Sequence, residues 1–276
     1  MVKIQIVSDL HLEFRGENFK KLIRPSAPIL CLLGDICVLG TKEDWDIYTK
    51  FMNYICPRFK YVFHIPGNHE YYTNNRNITK LDTVNGINYK LKKFAETIPN
   101  LYALNNNTVR LRIDKKNYVF IGSTLWTYIP PKDQRAIQSR MNDYSMIWYE
   151  NEPPKNAAEK LKWKPFRHYT AHDMVRIHQR SVRYIMRELK NSKPSDRIIL
   201  LTHHKPVITD TRSTIYDQAY HTDLTKNIIK RPMILAAHGH THQHMDAVVN
   251  GVRIVSNPKG YPSEHTIYVT GFAVEV

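Results

Sequence analysis

Short apolar runs that end in acid, amide or imidazole side chains recur along this sequence. The first run covers residues 3–7 and is followed by Asp9 and His11. Side chains two residues apart in an extended chain point the same way, so this pair can aim at one point beyond the strand. Four further runs end similarly, in the fragments Gly34-Asp35, Gly67-Asn68-His69-Glu70, His203 and Gly239-His240-x-His242. The repetition predicts buried strands whose polar ends meet at one site.

Helical patterns separate the predicted strands. The apolar runs at 28–33 and 61–65 flank a predicted helix from Trp45 to about Cys56, which Pro57 prevents from continuing. Near the other end of the chain, Asn250-Gly251 is typical of a two-residue hairpin turn. We therefore expect an α/β protein with parallel strand pairs and with functional residues just beyond the carboxyl ends of the strands.

Composition places the chain among ordinary globular proteins. Its 276 residues can bury a substantial core, and we expect residues 1–276 to form a single domain. No apolar run reaches about 18 residues, so no membrane span is expected. The three cysteines follow no metal-binding spacing and are predicted to be reduced. Together with an N-terminus that lacks a signal segment, they favour a cytoplasmic protein.

The charge is strongly positive, with 40 Lys+Arg against 25 Asp+Glu and a net charge of +15. Such a field favours an anionic partner, and both a small phosphate ester and nucleic acid fit. A predicted amphipathic helix from His168 to Lys190 carries a row of arginines that could follow a nucleic-acid backbone. These are Arg176, Arg180, Arg183 and Arg187. A solvated helix face is the commoner reason for such a row.

Residues 130–168 differ from the rest of the chain. They contain Pro130-Pro131 and Pro153-Pro154, several aromatic residues and no long apolar strand. We interpret the segment as a lid-like, substrate-selecting insertion, and a surface subdomain that packs its own aromatics is an equal alternative. Within it, Asn142 and Tyr144 are candidate substrate-binding residues.

In their order and residue types, the five polar fragments resemble the motifs of the metallophosphoesterase superfamily, also called calcineurin-like phosphoesterases. The resemblance runs from Asp9 to His242, nearly the whole chain. It implies a four-layer αββα sandwich, in which two mixed β-sheets lie face to face with helices outside. The opening Ser8-Asp9-Leu10-His11-Leu12-Glu13-Phe14 and the tail Asn257-Pro258-Lys259-Gly260-Tyr261 look like those of compact bacterial and viral members. Lys259 is therefore a third candidate for substrate binding.

The resemblance implies two divalent metal ions. Expected ligands form two sets that share one residue: Asp9, His11 and His242 for one metal, Asn68, His203 and His240 for the other, and Asp35 for both. Nitrogen and oxygen ligands suit Mn, Fe or Zn. The neighbouring His204 could exchange roles with His203, which we prefer because it is the first residue after Thr202.

The resemblance also implies the reaction. The two metals lower the pKa of a bound water, and the resulting hydroxide, bridging the metals, attacks phosphorus in line with the leaving oxygen. His69 is not among the expected ligands. It resembles the histidine that contacts the phosphate and helps the leaving group depart, as a donor or general acid. Glu70 could orient His69, and an exposed or capping role is equally compatible with the sequence.

The expected function is hydrolysis of a phosphodiester, either a nucleotide or another small diester. A nuclease or nucleic-acid end-processing enzyme and a phosphomonoesterase are the alternatives, and the complete ligand set argues against a non-catalytic scaffold. The Asp-Arg-Gly element and the second arginine of Ser/Thr protein phosphatases are replaced here by Ile36-Cys37-Val38-Leu39-Gly40 and Ile65-Pro66. Protein phosphatase activity is therefore not expected.

Overall fold

The computed structural model describes residues 1–154, 163–209 and 214–276. The strands in chain order are β1 (Lys3–Val7), β2 (Ile29–Leu33), β3 (Tyr61–Ile65), β4 (Leu101–Ala103), β5 (Asn107–Ile113), β6 (Lys116–Ser123), β7 (Trp148–Glu150), β8 (Phe166–His168), β9 (Arg197–Thr202), β10 (Met233–His238), β11 (Met245–Val249), β12 (Val252–Ser256) and β13 (Ala273–Glu275). The α-helices are α1 (Lys42–Ile55), α2 (Val84–Ala95), α3 (Pro131–Gln138), α4 (Asp143–Met146) and α5 (Ala171–Asn191).

Two mixed sheets form the centre of the molecule. The first has the strand order β13-β1-β2-β3-β4, with β1 to β4 parallel and β13 antiparallel to β1. The second has the order β11-β12-β10-β9-β6-β5, in which β6, β9, β10 and β12 are parallel and the two edge strands are antiparallel. Strands β7 and β8 form a separate two-stranded ribbon.

Alternation along the buried strands defines the layers. On β2, Ile29, Cys31 and Leu33 join an apolar cluster that also contains residues of the second sheet, so the two sheets pack face to face. Leu30 and Leu32 join an outer cluster built with α1 and α2. A third cluster covers the outer face of the second sheet and includes one turn of α5. The α/β prediction of two mixed sheets flanked by helices is confirmed.

Helix starts follow local capping. Thr41 precedes α1 and its side chain accepts a hydrogen bond from the backbone N–H of Asp44. Thr170 and Asp173 form a reciprocal capping box at the start of α5. The arginine-bearing helix predicted from His168 to Lys190 is therefore present as α5, and it begins three residues later than the prediction, at the position that this capping box sets.

The predicted insertion packs onto the main body. Its described part contains α3, α4, β7 and β8, and residues 155–162 lie outside the described residues. Ile137, Tyr144 and Ile147 belong to the same apolar cluster as α1. Isolated bridges connect Ile147 with Tyr72 and Trp148 with Thr83. These contacts place the insertion beside the loops that follow β3, and its role as a lid stays a prediction. Among the described helices, none is both long and apolar enough to cross a membrane.

Candidate active site

The carboxyl ends of the central strands meet at one edge of the two sheets. Asp9 and His11 follow β1, and Asp35 follows β2. His203 follows β9 in the second sheet. Backbone hydrogen bonds join neighbouring strand ends, with Asp9 N donating to Gly34 O at 2.9 Å and Gly239 N donating to His203 O at 3.0 Å. The fold thus collects residues from both sheets in one place.

Five of the strand-end residues have left-handed backbone conformations, which side chains other than glycine rarely adopt. Their φ angles are 55° for Asp9, 46° for His11, 52° for Asp35, 69° for His240 and 51° for His242. Each such residue costs roughly 1–2 kcal/mol relative to an ordinary conformation. Strain concentrated in this way is typical of a functional site that its surroundings hold in place.

Two glycines let the strand ends approach each other. Gly34 has a φ of 84°, and a Cβ there would collide with the ring of His203 and the backbone of Gly67. A Cβ on Gly67 would collide with the carboxylate of Asp35. Gly34 therefore requires glycine for both backbone conformation and close approach, and Gly67 requires it for close approach.

The first group of potential metal ligands contains Asp9, His11 and His242. The Nε2 atoms of His11 and His242 are 3.2 Å apart, and His242 Nε2 is 3.4 Å from Asp9 Oδ1. Asp9 and His11 are fully buried. The other nitrogen of His242, Nδ1, lies 2.5 Å from Glu264 Oε2, which fixes the orientation of the ring.

The second group contains Asp35, His203 and His240. His203 Nε2 lies 3.1 Å from His240 Nδ1 and 3.0 Å from the side-chain oxygen of Asn68. His203 Nδ1 donates to Leu33 O at 2.8 Å, so the other ring nitrogen, Nε2, faces the group.

Asp35 lies between the two groups. Its Oδ1 is 3.4 Å from His203 Nε2, and its Oδ2 is 4.0 Å from His11 Nε2. Burial alone would raise the pKa of Asp35, but the imidazoles of His203 and His69 hold it well below its ordinary value. The residue is therefore a carboxylate that presents one oxygen to each group.

The donor set fits divalent metal ions. Each group combines a carboxylate with imidazole nitrogens, a set that suits Mn, Fe or Zn. Pairs of imidazole nitrogens face each other at 3.1 and 3.2 Å, which is unfavourable for two lone pairs unless a cation or proton lies between them. His11 and His242 also keep carboxylate partners at their second nitrogens, as metal-bound histidines usually do.

Outside both groups, His69 is held at both ring nitrogens. Its Nδ1 lies 2.9 Å from Glu13 Oε1, and its Nε2 lies 3.0 Å from the hydroxyl of Tyr261. The same Glu13 oxygen is 3.0 Å from His11 Nδ1. Burial opposes protonation of His69, but the charges of Asp35 and Glu13 raise its pKa to about 9. The ring is thus oriented, and it can carry a proton at Nε2.

Glu70 serves the backbone, not the His69 ring. It is fully buried and accepts hydrogen bonds from three backbone N–H groups, those of Asp35 at 2.9 Å, Ile36 at 2.8 Å and Gly67 at 2.6 Å. One carboxylate therefore ties the loop after β2 to the loop after β3.

Asp143 orients Asn68 from the insertion. Asn68 Nδ2 donates to Asp143 Oδ1 at 2.9 Å and to the Tyr72 hydroxyl at 3.0 Å, and Tyr72 itself donates to Asp143 Oδ1 at 2.5 Å. These bonds turn the amide oxygen of Asn68 toward His203. The sequence places Asp143 between two candidate substrate-binding residues, but it does not reveal that Asp143 is a partner of Asn68.

The three candidates for substrate binding have different surroundings. Asn142 is exposed and lines the space above the two ligand groups. Tyr144 is buried in the apolar core, where its hydroxyl lies 3.5 Å from Met174 Sδ. Lys259 places its Nζ 5.6 Å from the Tyr268 ring centroid. Only Asn142 is thus at the site, and Arg140 beside it is a cation that the sequence did not single out.

His203 and His204 point in different directions. His204 Nδ1 lies 3.1 Å from Thr124 O, and its ring packs 5.1 Å from Trp126. Burial holds the pKa of His204 well below its ordinary value, so the ring is neutral. Only His203 places a ring nitrogen beside Asp35 and Asn68.

Two connected spaces open over the site. The first, which we call the cluster cavity, has a volume of about 280 Å³ and is lined by Asp35, Arg140 and His242 among others. The second, which we call the side groove, has a volume of about 470 Å³ and begins at His69. Four residues line both spaces: His69, Tyr72, Asn142 and Tyr261.

A sequence model of calcineurin-like phosphoesterases matches residues 2–244, which include every residue of both ligand groups. The chain belongs to the calcineurin-like phosphoesterase family. It is therefore a metal-dependent phosphoric ester hydrolase, and the dinuclear metal dependence of the family agrees with the two ligand groups found here.

Relatives of this phosphoesterase are similar over nearly their full length. An uncharacterised protein of Acanthamoeba polyphaga mimivirus is 33% identical over 285 residues, covering 95% of this chain and 92% of the relative. The crystal structure of the phosphopantetheinyl hydrolase PptH from Mycobacterium tuberculosis aligns with a TM-score of 0.64 at 16% identity, covering 94% and 90% of the two chains. The protein TT1561 of Thermus thermophilus aligns with a TM-score of 0.50 at 13% identity, covering 93% and 89%. These two structures share its fold.

Proposed function

We propose that this phosphoesterase hydrolyses a phosphodiester, either a nucleotide or another small diester, at a two-metal site built around Asp35. The observation that carries the proposal is the position of Asp35, which presents one oxygen to each ligand group. A carboxylate placed in this way suits two cations about 3.5–4 Å apart.

We assign Asp9, His11 and His242 to one metal and His203 and His240 to the other, with Asp35 shared. The amide oxygen of Asn68 completes the second set. When bound, the metals supply Lewis acidity toward the phosphoryl oxygens and acidify water near neutral pH. Manganese, iron and zinc all suit these ligands.

His69 is the proton donor in this proposal. Glu13 holds Nδ1, so Nε2 is the nitrogen that faces the space where substrate would lie. A proton at Nε2 passes to the leaving oxygen as the bond to phosphorus breaks. In this structure the Tyr261 hydroxyl is the hydrogen-bond partner of Nε2, at 3.0 Å. In the reaction, the leaving oxygen would take the place of this hydroxyl.

The two spaces that His69 lines support a diester rather than a monoester as the substrate. The cluster cavity can hold the phosphoryl group beside Arg140 and Asn142, and His69 lines both this cavity and the side groove. A monoester would need only one of the two spaces for an organic substituent, whereas a diester has a use for both.

The test uses chelator-stripped protein resupplied with Mn²⁺, Fe²⁺, Zn²⁺ or Mg²⁺ in turn. Hydrolysis of bis(4-nitrophenyl) phosphate is compared with that of 4-nitrophenyl phosphate. We expect that metal restores turnover and that the diester is preferred. Preference for the monoester contradicts the diester assignment alone, and absence of turnover with every metal contradicts the proposed reaction.

The shared role of Asp35 makes a sharper prediction. Asp35→Asn removes the charge that faces both ligand groups, so turnover should fall at least about a hundredfold and bound metal should fall below two ions per chain. Metal content and turnover are measured on the same preparation. The matched control is Asp46→Asn, whose carboxylate is half exposed and paired with Lys42 on α1. Near-normal activity of Asp35→Asn would exclude the shared site.

A further inference from the structure

The side groove differs in charge from the rest of this basic molecule. Two carboxylates, Asp44 and Glu13, line it, and among the described residues no lysine or arginine does. The chain as a whole carries 40 Lys+Arg against 25 Asp+Glu. The cluster cavity next to the groove, by contrast, includes Arg140 in its wall.

Two basic side chains near the groove, Arg15 and Lys90, bind backbone carbonyl groups outside it. Arg15 donates to Leu10 O at 2.9 Å and to Gly260 O at 2.7 Å. Lys90 donates to Leu39 O at 3.0 Å and lies 3.9 Å from the ring centroid of Trp45. Neither side chain lines the groove. The charge of Arg15 acts on Glu13, whereas the charged groups that act on Asp44 are the acids Glu13 and Glu43.

Asp44 is the more important of the two carboxylates. Glu13 lies within hydrogen-bond distance of both His11 and His69, so its charge is shared with these imidazoles. Asp44 accepts a hydrogen bond from the neutral hydroxyl of Thr41 at 2.6 Å. With Glu43 it also places two acids in the first turn of α1, which balances the positive end of that helix.

The remaining walls are partly apolar. Phe14, Val38 and Met146 line the groove with Tyr261. Phe14 is 58% exposed, and its ring lies edge-on to Tyr261 with centroids 5.8 Å apart. An exposed aromatic side chain at the edge of a cavity offers a face on which a planar or apolar group can pack.

We propose that the side groove receives the leaving alcohol of the substrate and selects an uncharged alcohol with an apolar or aromatic body. This inference rests on the proposed function, because it uses His69 as the group that protonates the leaving oxygen. His69 stands at the junction of the two spaces, so an alcohol that it protonates extends into the groove. Away from His69, a leaving group that carries its own phosphate or carboxylate would meet Asp44 in a wall that contains no lysine or arginine.

The test compares two fluorogenic substrates with the same coumarin ring as leaving group. One is the methyl phosphodiester of 4-methylumbelliferone, and the other is the matching diester of 7-hydroxycoumarin-4-acetic acid, which adds a distant carboxylate. For the Mn²⁺-loaded protein, we expect kcat/KM for the neutral coumarin substrate to be at least about five times that for the acidic one. The reason is repulsion between the added carboxylate and Asp44 across the groove.

Substitutions inside and outside the side groove test whether the groove causes the preference for the neutral coumarin substrate. In Asp44→Asn the amide oxygen can still accept the Thr41 hydroxyl, so the preference for the neutral coumarin should shrink toward unity while the fold is kept. Asp46→Asn, on the same helix but outside the groove, should keep the full preference. Phe14→Ala should raise KM for the neutral coumarin substrate more than for methyl 4-nitrophenyl phosphate, a diester whose leaving group has a single ring.

Binding of the released alcohols gives a second readout that needs no turnover. By fluorescence anisotropy, 4-methylumbelliferone should bind more tightly than 7-hydroxycoumarin-4-acetic acid, and Asp44→Asn should narrow the difference. Equal kcat/KM for the two diesters, or a preference that survives in Asp44→Asn, overturns the inference alone. If neither diester is hydrolysed, the proposed reaction and this inference both fail.

Discussion

His69 shows how single side chains divide the work at this site. Glu13 holds one ring nitrogen, and the other faces Tyr261 and the open space. The ring lies outside the Asp9 and Asp35 groups of proposed ligands, in a third cluster of potential metal ligands that it forms with Glu13 and His11. Our proposal therefore assigns proton transfer and metal binding to separate residues, so that a substitution should remove one without the other.

Replacing His69 by alanine tests this separation. Loss of a positioned proton donor should lower turnover about 10²- to 10⁴-fold, while both metals stay bound. Turnover and metal content are measured together, and the deficit should be smaller for a substrate with a more acidic leaving alcohol. His172→Ala, an exposed histidine on α5, serves as the control. Loss of metal from the His69 variant would show that the ring belongs to the metal site.

At the scale of elements, the site depends on loops that are held by buried polar groups. The loops after β2 and β3 carry Asp35 and Asn68, and Glu70 connects them through three backbone N–H groups. These donors are buried together with the carboxylate, so water cannot replace it without rearrangement.

Glu70→Ala should therefore destabilise the fold as well as the site. Each backbone donor left without a partner costs about 1–3 kcal/mol, so the free energy of unfolding should fall by about 3 kcal/mol or more. Urea unfolding of the metal-free protein measures the change. Glu96→Ala, which removes an exposed carboxylate at the end of α2, should alter stability little. A Glu70 variant as stable as the parent would contradict the connecting role.

The start of α5 gives a prediction with a pH dependence. The carboxylate of buried Asp173 accepts two hydrogen bonds from Arg167, at 2.5 and 2.8 Å, and two from Thr170, at 2.6 and 3.1 Å. Burial alone would raise the pKa of Asp173, but these bonds lower it below its ordinary 3.8. The stabilisation is therefore complete above pH 3.8 and is lost as the pH falls through the lower folded-state pKa.

Asp173→Asn should thus lower the free energy of unfolding by about 1–2 kcal/mol at neutral pH. The deficit should shrink in increasingly acidic solution, because the parent loses the same charge there. Urea titrations at neutral and acidic pH compare the two proteins. A deficit that is constant across this range would show that the carboxylate charge does not contribute.

At the scale of the whole molecule, the sequence predicts the architecture well, because the same residues end the strands and form the site. The runs before Asp9, Asp35 and His203 are buried strands whose ends do converge. Each run ends in an acid or imidazole side chain, and this repeated pattern can be recognised without coordinates.

Residues that reach the site through tertiary packing were harder to predict. Asp143 lies on α4 of the insertion and meets Asn68 only because the insertion packs beside the loop after β3. Arg140 reaches the cluster cavity in the same way. Glu13 had a weak signal, since it continues the alternation of Asp9 and His11. The left-handed backbone of the five strand-end residues has no sequence signature, because none of the five is a glycine.

The most direct test of the two-metal site is an anomalous difference map from crystals grown with Mn²⁺. The proposed assignment predicts two peaks, one bounded by Asp9, His11 and His242 and the other by Asn68, His203 and His240. The side chain of Asp35 should contact both. A single peak in a fully occupied crystal, or two peaks of which Asp35 contacts only one, would contradict the account.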